Sequence, residues 1–117
     1  MARYEHLPLF KAVYDFTLYF FKLSRGFPKD FKYGLAIEIQ GLNTELMDCI
    51  ILANSSNGEK ALHLSKAELD VERIKIKVRL LFDLKMINIK SYGYISECLI
   101  GISKQIAAWN IWVEKQS

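Results

Sequence analysis

The feature that most constrains this chain is the apolar pattern of residues 62–84, which repeats with the period of an α-helix and marks two faces instead of one. Side chains in a helix are about 100° apart, so residues three, four or seven positions apart share a face. Four aliphatic residues share one face, which we name the 62–80 stripe: Leu62, Leu69, Ile76 and Leu80. About half a turn away, six apolar residues form a second face, which we name the 64–81 stripe: Leu64, Ala67, Val71, Ile74, Val78 and Leu81. A surface helix of a small bundle normally has one apolar face. We therefore expect this helix to pack on both sides, against its own bundle and against a second copy of the chain or a partner protein.

Charged residues separate the two stripes in two rows, with most of the bases toward the C-terminal end of the helix. The first row is Lys66, Asp70, Arg73 and Lys77, and the second row is Glu68, Glu72, Lys75 and Arg79. Two interpretations are open. The acids neutralise the bases within the helix, which makes the rows an ordinary solvated surface. Alternatively, the basic ends gather phosphate groups together with Lys85, Lys90 and Lys104, and several copies of the chain multiply those contacts.

The length suits a single domain, which we assign to residues 1–117. Hydrophobic residues make up 51% of the chain and charged residues 25%, with mean hydropathy +0.08, so the chain is globular. It is slightly more apolar than a monomer of this size needs, which favours an oligomer. The net charge of +3 is mildly basic and does not by itself predict a nucleic-acid ligand.

Glycine, proline and asparagine divide the chain into four helical segments. Breaks fall at residues 26–28, 54–58 and 88–91, and Pro8 and Pro28 each suit the first turn of a helix. No segment shows the alternation of a β-strand. The predicted helices cover residues 7–25, 29–54, 59–88 and 91–115. Short connections between them predict an all-α fold, an up-down-up-down four-helix bundle.

The apolar periodicity also predicts which faces of the other three helices enter the core. The first helix is rich in aromatic residues, which alternate with leucine and valine rather than with lysine and arginine, so we assign them to the core and not to base stacking. The predicted core residues are Leu7, Phe10, Tyr14, Leu18 and Phe21 in the first helix, Leu35, Ile39, Leu42, Leu46, Cys49 and Ala53 in the second, and Ile95, Leu99, Ile102, Ile106, Trp109 and Val113 in the fourth.

Local signals refine the helix ends. Ser65 with Glu68 three residues later has the pattern of a capping box, so the third helix has a possible later start there. Ser91 is the predicted N-cap of the fourth helix. Gly34 and Gly41 lie seven residues apart on one face of the second helix. They indicate either the close approach of another helix or simple tolerance of glycine.

Residues that could support catalysis or hold a metal ion are sparse. His6 and His63 have no cysteine or carboxylate partner at ligand spacing, and the chain has no glycine-rich phosphate loop or nucleophile elbow. Cys49 and Cys98 lie in apolar helical patterns, which is typical of buried reduced thiols. We expect a protein that is not an enzyme, with no catalytic residues, no metal and no cofactor.

The N-terminal sequence MARYEHLPLFK lacks the apolar centre of a signal peptide. No segment reaches the roughly 18–20 uncharged residues that a membrane-spanning helix needs. We therefore expect a cytoplasmic protein with no membrane partner.

Four motifs, in order along the chain, resemble those of one known family. The first motif is Leu7-Pro8 with Tyr14-Asp15-Phe16, similar to a proline-led first helix with a Tyr-Asp pair, and the second is residues 27–33, similar to Phe-Pro-Lys-x-x-Arg-Phe. The third consists of residues 71–75, similar to Leu-Asp-x-Leu-Arg, and residues 79–85, similar to Arg-Leu-x-x-Asp-Leu-Lys. The fourth is residues 102–109, similar to Ile-Gly-Arg-x-Leu-Gly-Gly-Trp. The chain thus resembles the accessory variability determinants of diversity-generating retroelements. That family is related to the four-helix-bundle proteins encoded in intervening sequences of bacterial 23S ribosomal RNA.

The resemblance implies a homopentameric barrel of bundles with a positively charged surface. It also implies a non-enzymatic accessory protein that binds the element's reverse transcriptase and its template RNA, or DNA, during mutagenic retrohoming. Matched by position, Lys75 and Arg79 fall on two arginines of the family's third helix, and Lys32 and Lys104 on arginines of the second and fourth. The predicted residues for binding nucleic acid or reverse transcriptase are Lys75, Arg79, Lys32, Lys104, Arg73 and Lys77, and the predicted oligomer interface is Leu62, Leu69, Ile76 and Leu80.

The alternative is a structural or adaptor bundle of the intervening-sequence type, which binds protein rather than nucleic acid. Relatives of that type carry a Ser-x-x-x-Asn-Ile-Ala-Glu-Gly-like stretch late in the second helix. Residues 48–54 of this chain read Asp-Cys-Ile-Ile-Leu-Ala-Asn instead, which favours the retroelement branch.

Overall fold

The structure, a computed structural model, describes residues 3–116. Four long helices make up most of it, together with a 3-10 turn and a one-turn helix. The turn is Tyr4–His6, and the helices are α1 (Pro8–Ser24), α2 (Lys29–Lys32), α3 (Leu35–Ser55), α4 (Lys60–Asp83) and α5 (Ile89–Lys115). None of the described residues belongs to a β-strand. The predicted all-α class with four long helices is confirmed, while the pentameric assembly stays a prediction.

The long helices pack in a closed square. Helix α3 packs against α1 and α4, and α5 packs against α4 and α1, so α1 and α4 lie diagonally opposite each other. Contacts at both ends show that α3 and α4 are antiparallel, since Lys77 meets Glu38 and Lys66 meets Glu45. The start of α3, the end of α4 and the start of α5 therefore lie at the same end of the bundle.

The 64–81 stripe is the core face of α4. All six of its residues are buried, together with apolar residues from each of the other long helices. On α3 the predicted core face is confirmed for Ile39, Leu46, Cys49 and Ala53. On α5 it is confirmed for the four isoleucine and leucine residues Ile95, Leu99, Ile102 and Ile106. The periodicity therefore identified the core correctly wherever polar residues marked the opposite face.

The predicted core face of the first helix is wrong for three of its five residues, while Leu7 and Phe10 are half-buried against the core. Tyr14, Leu18 and Phe21 are 41–48% exposed, and the buried apolar residues of α1 are instead Leu9, Val13, Phe16 and Phe20. The reason is that α1 is apolar almost all round, so the pattern alone cannot select a face. The core face also carries two polar residues, and one of them, Thr17, satisfies its hydroxyl by donating to the Val13 carbonyl at 2.7 Å. Three large apolar side chains are thereby left on the surface.

The core also contains two polar side chains that the sequence did not place there. Asp70 was expected in a solvated row, but it is fully buried, and so is Asn43 on α3. Among the described residues, neither side chain has a hydrogen-bond partner. Asp70 follows Ala67 by three residues and precedes Ile74 by four, so it lies on the core side of α4 despite its charge.

The predicted second helix, residues 29–54, is divided at Gly34 into α2 and α3. A Cβ atom at Gly34 would lie 2.6 Å from the Asp30 carbonyl oxygen, which only glycine avoids. Gly41 is different, because a Cβ atom there would have no neighbour within 4 Å. Gly34 therefore permits a tight turn, and neither glycine marks a close contact with another helix inside the bundle.

The end of α4 and the start of α5 differ from prediction. Helix α4 ends at Asp83 and not at 88, because Lys85 adopts a left-handed φ of 64° and the Met86 amide donates to the Leu81 carbonyl at 2.8 Å, as in a Schellman motif. Helix α5 begins two residues early, since its N-cap is Asn88, which accepts from the Ser91 amide at 2.8 Å. Ser91 as N-cap is wrong.

At the other end, Ser65 lies inside α4, so the capping-box start is also wrong. The turn before α4 is held by Ser56, whose hydroxyl accepts from the Glu59 amide at 2.8 Å. Lys60 then donates to the Ala53 carbonyl at 2.6 Å and satisfies the C-terminal end of α3.

Candidate functional site

The outer face of α4 carries the 62–80 stripe. Leu62, Leu69, Ile76 and Leu80 are between 46% and 65% exposed. Several half-exposed aliphatic residues in a row are unusual on a monomer, and a contiguous apolar patch of a few hundred Å² marks an interaction surface. The two charged rows lie on either side of this stripe, one beside α3 and the other beside α5.

The row beside α3 is joined to that helix by ion pairs. Lys66 Nζ lies 2.8 Å from Glu45 Oε1, and Lys77 Nζ lies 2.8 Å from Glu38 Oε1. Hydrogen bonding by Lys66 lowers the pKa of the Glu45 carboxyl below its ordinary value. Arg73 Nη1 is 3.8 Å from Asp70 Oδ1, and in this pair the acid is fully buried. This row therefore links α3 to α4, and its charges are largely compensated.

The row beside α5 is compensated mainly within α4. Arg79 Nε donates to both carboxylate oxygens of Asp83, at 3.0 and 3.1 Å, and this hydrogen bond raises the pKa of the guanidinium. Lys75 Nζ lies 3.4 Å from Glu72 Oε1. Glu68 accepts from Asn110 of α5 at 3.1 Å. Acids one turn before and one turn after the bases thus neutralise them, as one of the two open interpretations expected.

Lys75 also lines a cleft between α4 and α5. The cleft has a volume of about 250 Å³, and its other walls are formed by Val78, Tyr92, Ser96, Leu99 and Ile100. Tyr92 is held in place by stacking on Phe82, with ring centroids 4.4 Å apart. A basic group beside an aromatic ring and a serine hydroxyl can accept a phosphate or carboxylate group.

The six predicted binding residues do not form one patch. Lys75 and Arg79 lie on one side of the 62–80 stripe, and Arg73 and Lys77 lie on the other. Lys32 is on α2, with its Nζ 5.8 Å from the centre of the Tyr33 ring, and Lys104 is exposed on α5. Within residues 3–116, neither Lys32 nor Lys104 forms an ion pair, whereas all four of the α4 bases do.

Sequence reasoning named Lys32, Lys85 and Lys90 as candidate bases, but it missed that they are concentrated with three others at one end of the bundle. We define the basic end as six residues in or beside the two connections that meet there: Lys22, Arg25, Lys29, Lys32, Lys85 and Lys90. Five of them are exposed, and Lys32 is half-buried. Asp30 is the one acid among residues 22–34, and Asp83 is already occupied by Arg79. The charge of residues 22–34 could have indicated this surface before the fold was known.

No group of three or more His, Cys, Asp or Glu side chains within residues 3–116 is arranged to hold a metal ion. His63 Nε2 lies 3.7 Å from Glu59, one turn earlier on α4. Both cysteines are free, and burial raises the pKa of the Cys49 thiol. A buried thiol with a raised pKa is a weak nucleophile.

A further finding concerns membranes: across residues 3–116, every helix is too short or too polar to span one.

Comparison with curated proteins found no significant match, and comparison with solved structures found none either. A family model, described as bAvd-like, matches residues 8–113, from the first residue of α1 almost to the end of α5. The match includes every helix of the bundle and both charged rows. The chain therefore belongs to the bAvd-like family.

Proposed function

We propose that this protein is a non-enzymatic accessory protein of a diversity-generating retroelement. It binds the element's reverse transcriptase and template RNA or DNA, forms a homopentamer, uses no cofactor, and works in the cytoplasm during mutagenic retrohoming. The observation that carries the proposal is the bAvd-like match over residues 8–113. The exposed 62–80 stripe and the basic end supply surfaces for protein and for phosphate.

The ion pairs of Lys75 and Arg79 do not prevent them from binding phosphate. Arg79 and its partner Asp83 are 63% and 52% exposed, and solvent screens an exposed pair of this kind so that it contributes little to stability. A phosphodiester can therefore replace the carboxylate at little cost. Lys32 and the rest of the basic end have fewer acids to displace, and they supply a second, separate positive surface at that end of the bundle.

The site is tested by charge reversal, with RNA binding measured by gel shift at near-physiological salt. Lys75→Glu with Arg79→Glu is expected to lower affinity for template RNA by at least tenfold while the mass in light scattering stays unchanged. Arg73→Glu with Lys77→Glu is the matched pair from the other row. Unchanged RNA binding in the Lys75 and Arg79 variant would remove these two residues from the site.

The contribution of the basic end is tested separately. Arg25→Glu with Lys29→Glu reverses two exposed charges that have no ion pair within the described residues. We expect weaker RNA binding and a shallower slope of log K against log salt concentration. The slope should fall in magnitude by about one for each phosphate that the variant no longer binds. An unchanged slope would show that phosphates do not contact this end.

A second candidate is a protein-binding adaptor of the intervening-sequence type. The specific observation in its favour is that five of the six bases of α4 are paired with acids of the same chain, which leaves the outer face of α4 apolar and nearly neutral. The same gel-shift experiment distinguishes the two functions. An adaptor binds no RNA at near-physiological salt, yet still co-purifies with a protein partner.

A further inference from the structure

Two of the exposed apolar faces among residues 3–116 lie on different sides of the bundle, and a third, on α5, includes Ile89, Ile100 and Ile111. The first is the 62–80 stripe. The second, which we name the α1–α3 face, consists of Tyr14, Leu18 and Phe21 of α1 and Ile37 of α3, each 41–49% exposed. Phe21 and Ile37 line one shallow cavity, so the two helices contribute to a continuous surface. Because α1 and α4 are diagonal in the square, two neighbouring molecules could bind at the same time, one on each face.

The two faces differ in shape. The 62–80 stripe lies along a single helix and forms a ridge. The α1–α3 face contains a depression of about 240 Å³ between the two helices, bordered by Phe21, Ile37 and Gln40. Gly41, which is exposed and has nothing within 4 Å of a Cβ position, leaves further room on α3. A helix ridge packs best into a groove between side chains, so each face fits the other better than it fits itself.

The area and the charges also suit such a contact. Each half-exposed large side chain offers about 100 Å², so the eight apolar residues of the two faces supply about 800 Å². The flanking side chains bring the total to about the 1,000–1,200 Å² that a specific interface needs. The bases beside the stripe are paired with acids, and on α1 Lys11 is paired with Asp15 at 3.0 Å. Burial of the two faces thus places few unpaired charges in contact, and the exceptions are Arg25 and Lys32, which border the depression of the α1–α3 face.

We infer that the 62–80 stripe of one copy packs into the α1–α3 face of the next copy. The contact is heterologous, because it joins two different surfaces, and its repetition gives a ring when the rotation between copies closes and an open filament when it does not. The inference rests on the proposed function, which includes a homo-oligomer, and it assigns the second half of the interface.

The test uses two variants that each remove one face. Leu69→Glu with Ile76→Glu blocks the stripe, and Leu18→Glu with Ile37→Glu blocks the α1–α3 face. Ile89→Glu with Ile111→Glu, two isoleucines of α5 that are 70% and 53% exposed, is the matched control. Circular dichroism checks that each variant is folded. If a double variant loses its helical signal, the single changes Ile76→Glu and Ile37→Glu replace it.

Light scattering and a mixing experiment give the result. The wild type and the control are expected at three or more times the 13.6 kDa protomer mass, and each face variant at the protomer mass. When the two face variants are mixed, each still has one intact face, so they are expected to form a one-to-one dimer. A tagged stripe variant then retains the untagged α1–α3 variant but not an untagged stripe variant.

Other outcomes overturn the inference in distinguishable ways. An α1–α3 variant that keeps the wild-type mass shows that the stripe pairs with something else. Two monomeric variants that do not bind each other refute the pairing of these faces. Both results leave the proposed oligomer standing, whereas a monomeric wild type refutes the oligomer itself.

Discussion

The buried carboxyl of Asp70 should reduce the stability of the bundle at neutral pH, and Asp70→Asn should restore it. Asp70 is fully buried, and neither of its oxygens has a hydrogen-bond partner among the described residues. Burial raises the pKa of this carboxyl above its ordinary value, the nearby Glu45 raises it further, and Arg73 and Lys66 lower it. The side chain is therefore held in surroundings that disfavour its charged form.

The sign of the pH dependence follows from linkage. A carboxyl whose pKa is raised by folding releases its proton more readily in the unfolded chain. Below the ordinary pKa of 3.8, Asp70 is protonated in both the folded and the unfolded chain, and the wild-type bundle has its full stability. The wild type loses this part of its stability as pH rises through the folded-state pKa of Asp70. Asparagine has nearly the same shape and does not ionise, so the Asp70→Asn variant should not show this loss.

Asparagine keeps a polar group in the core and removes only the ionisation, so the expected gain at pH 7 is about 1.4 kcal/mol for each unit by which folding raises the pKa of Asp70. The substitution also removes the carboxylate that lies 3.8 Å from Arg73, but the Arg73 side chain is 52% exposed, so this effect is small. For a chain of this length, 1 kcal/mol corresponds to about 4 °C in Tm, so the Tm at pH 7 should rise by about 5 °C for each unit of raised pKa.

Urea denaturation and thermal melts between pH 4 and pH 8 measure the effect. The difference between the variant and the wild type should be smallest at pH 4 and should grow with pH. Asp48→Asn, an exposed acid on the same side of the seam between α3 and α4, is the control and should change stability by less than about 0.5 kcal/mol. A variant that is less stable than the wild type at pH 7, or a difference that does not change with pH, would refute the reasoning.

Three further changes test the helix ends by urea denaturation. Lys85→Gly should stabilise the protein by about 0.5–1 kcal/mol, because glycine adopts the φ of 64° without strain; a loss of stability would argue against the left-handed turn. Asn88→Ala should cost about 0.5–2 kcal/mol by removing the cap on the Ser91 amide, and an unchanged midpoint would contradict that role. Gly34→Ala should destabilise by more than about 1 kcal/mol, since its Cβ would lie 2.6 Å from a carbonyl oxygen, whereas Gly41→Ala should not.

The sequence predicted α4 best because its polar residues are regular enough to separate two apolar faces. The 64–81 stripe is the core, and the 62–80 stripe is on the surface. The same method chose the wrong face of α1. There, aromatic and aliphatic residues occupy nearly every position, so helical period alone cannot tell a core phenylalanine such as Phe16 from an exposed one such as Phe21.

Other features could not be predicted because they depend on contacts between distant segments or on the backbone. Asp70 has a charge and neighbours in sequence that suit a surface row, and only the packing of α3 against α4 buries it. Lys85 gives no signal for a helix end, since glycine or asparagine is the usual residue in a left-handed cap. The partner of Lys77, Glu38, lies 39 residues away in sequence.

The positions of the charged rows decide how the binding experiments must be interpreted. Lys75 and Arg79 lie beside the 62–80 stripe, so a change at either residue can disturb an interface between copies as well as a phosphate contact. A ring of copies binds a polyanion more tightly than one copy because its contacts act together, and loss of assembly alone therefore lowers RNA affinity. The mass and the RNA affinity must for this reason be measured on the same samples. The Arg25 and Lys29 variant reduces the difficulty, because Lys29 lies on the connection between α1 and α3 and lines neither apolar face, and only Arg25 borders the depression of the α1–α3 face. If RNA binding weakens in the Arg25 and Lys29 variant while its mass stays unchanged, the loss is due to the reversed charges and not to a loss of assembly.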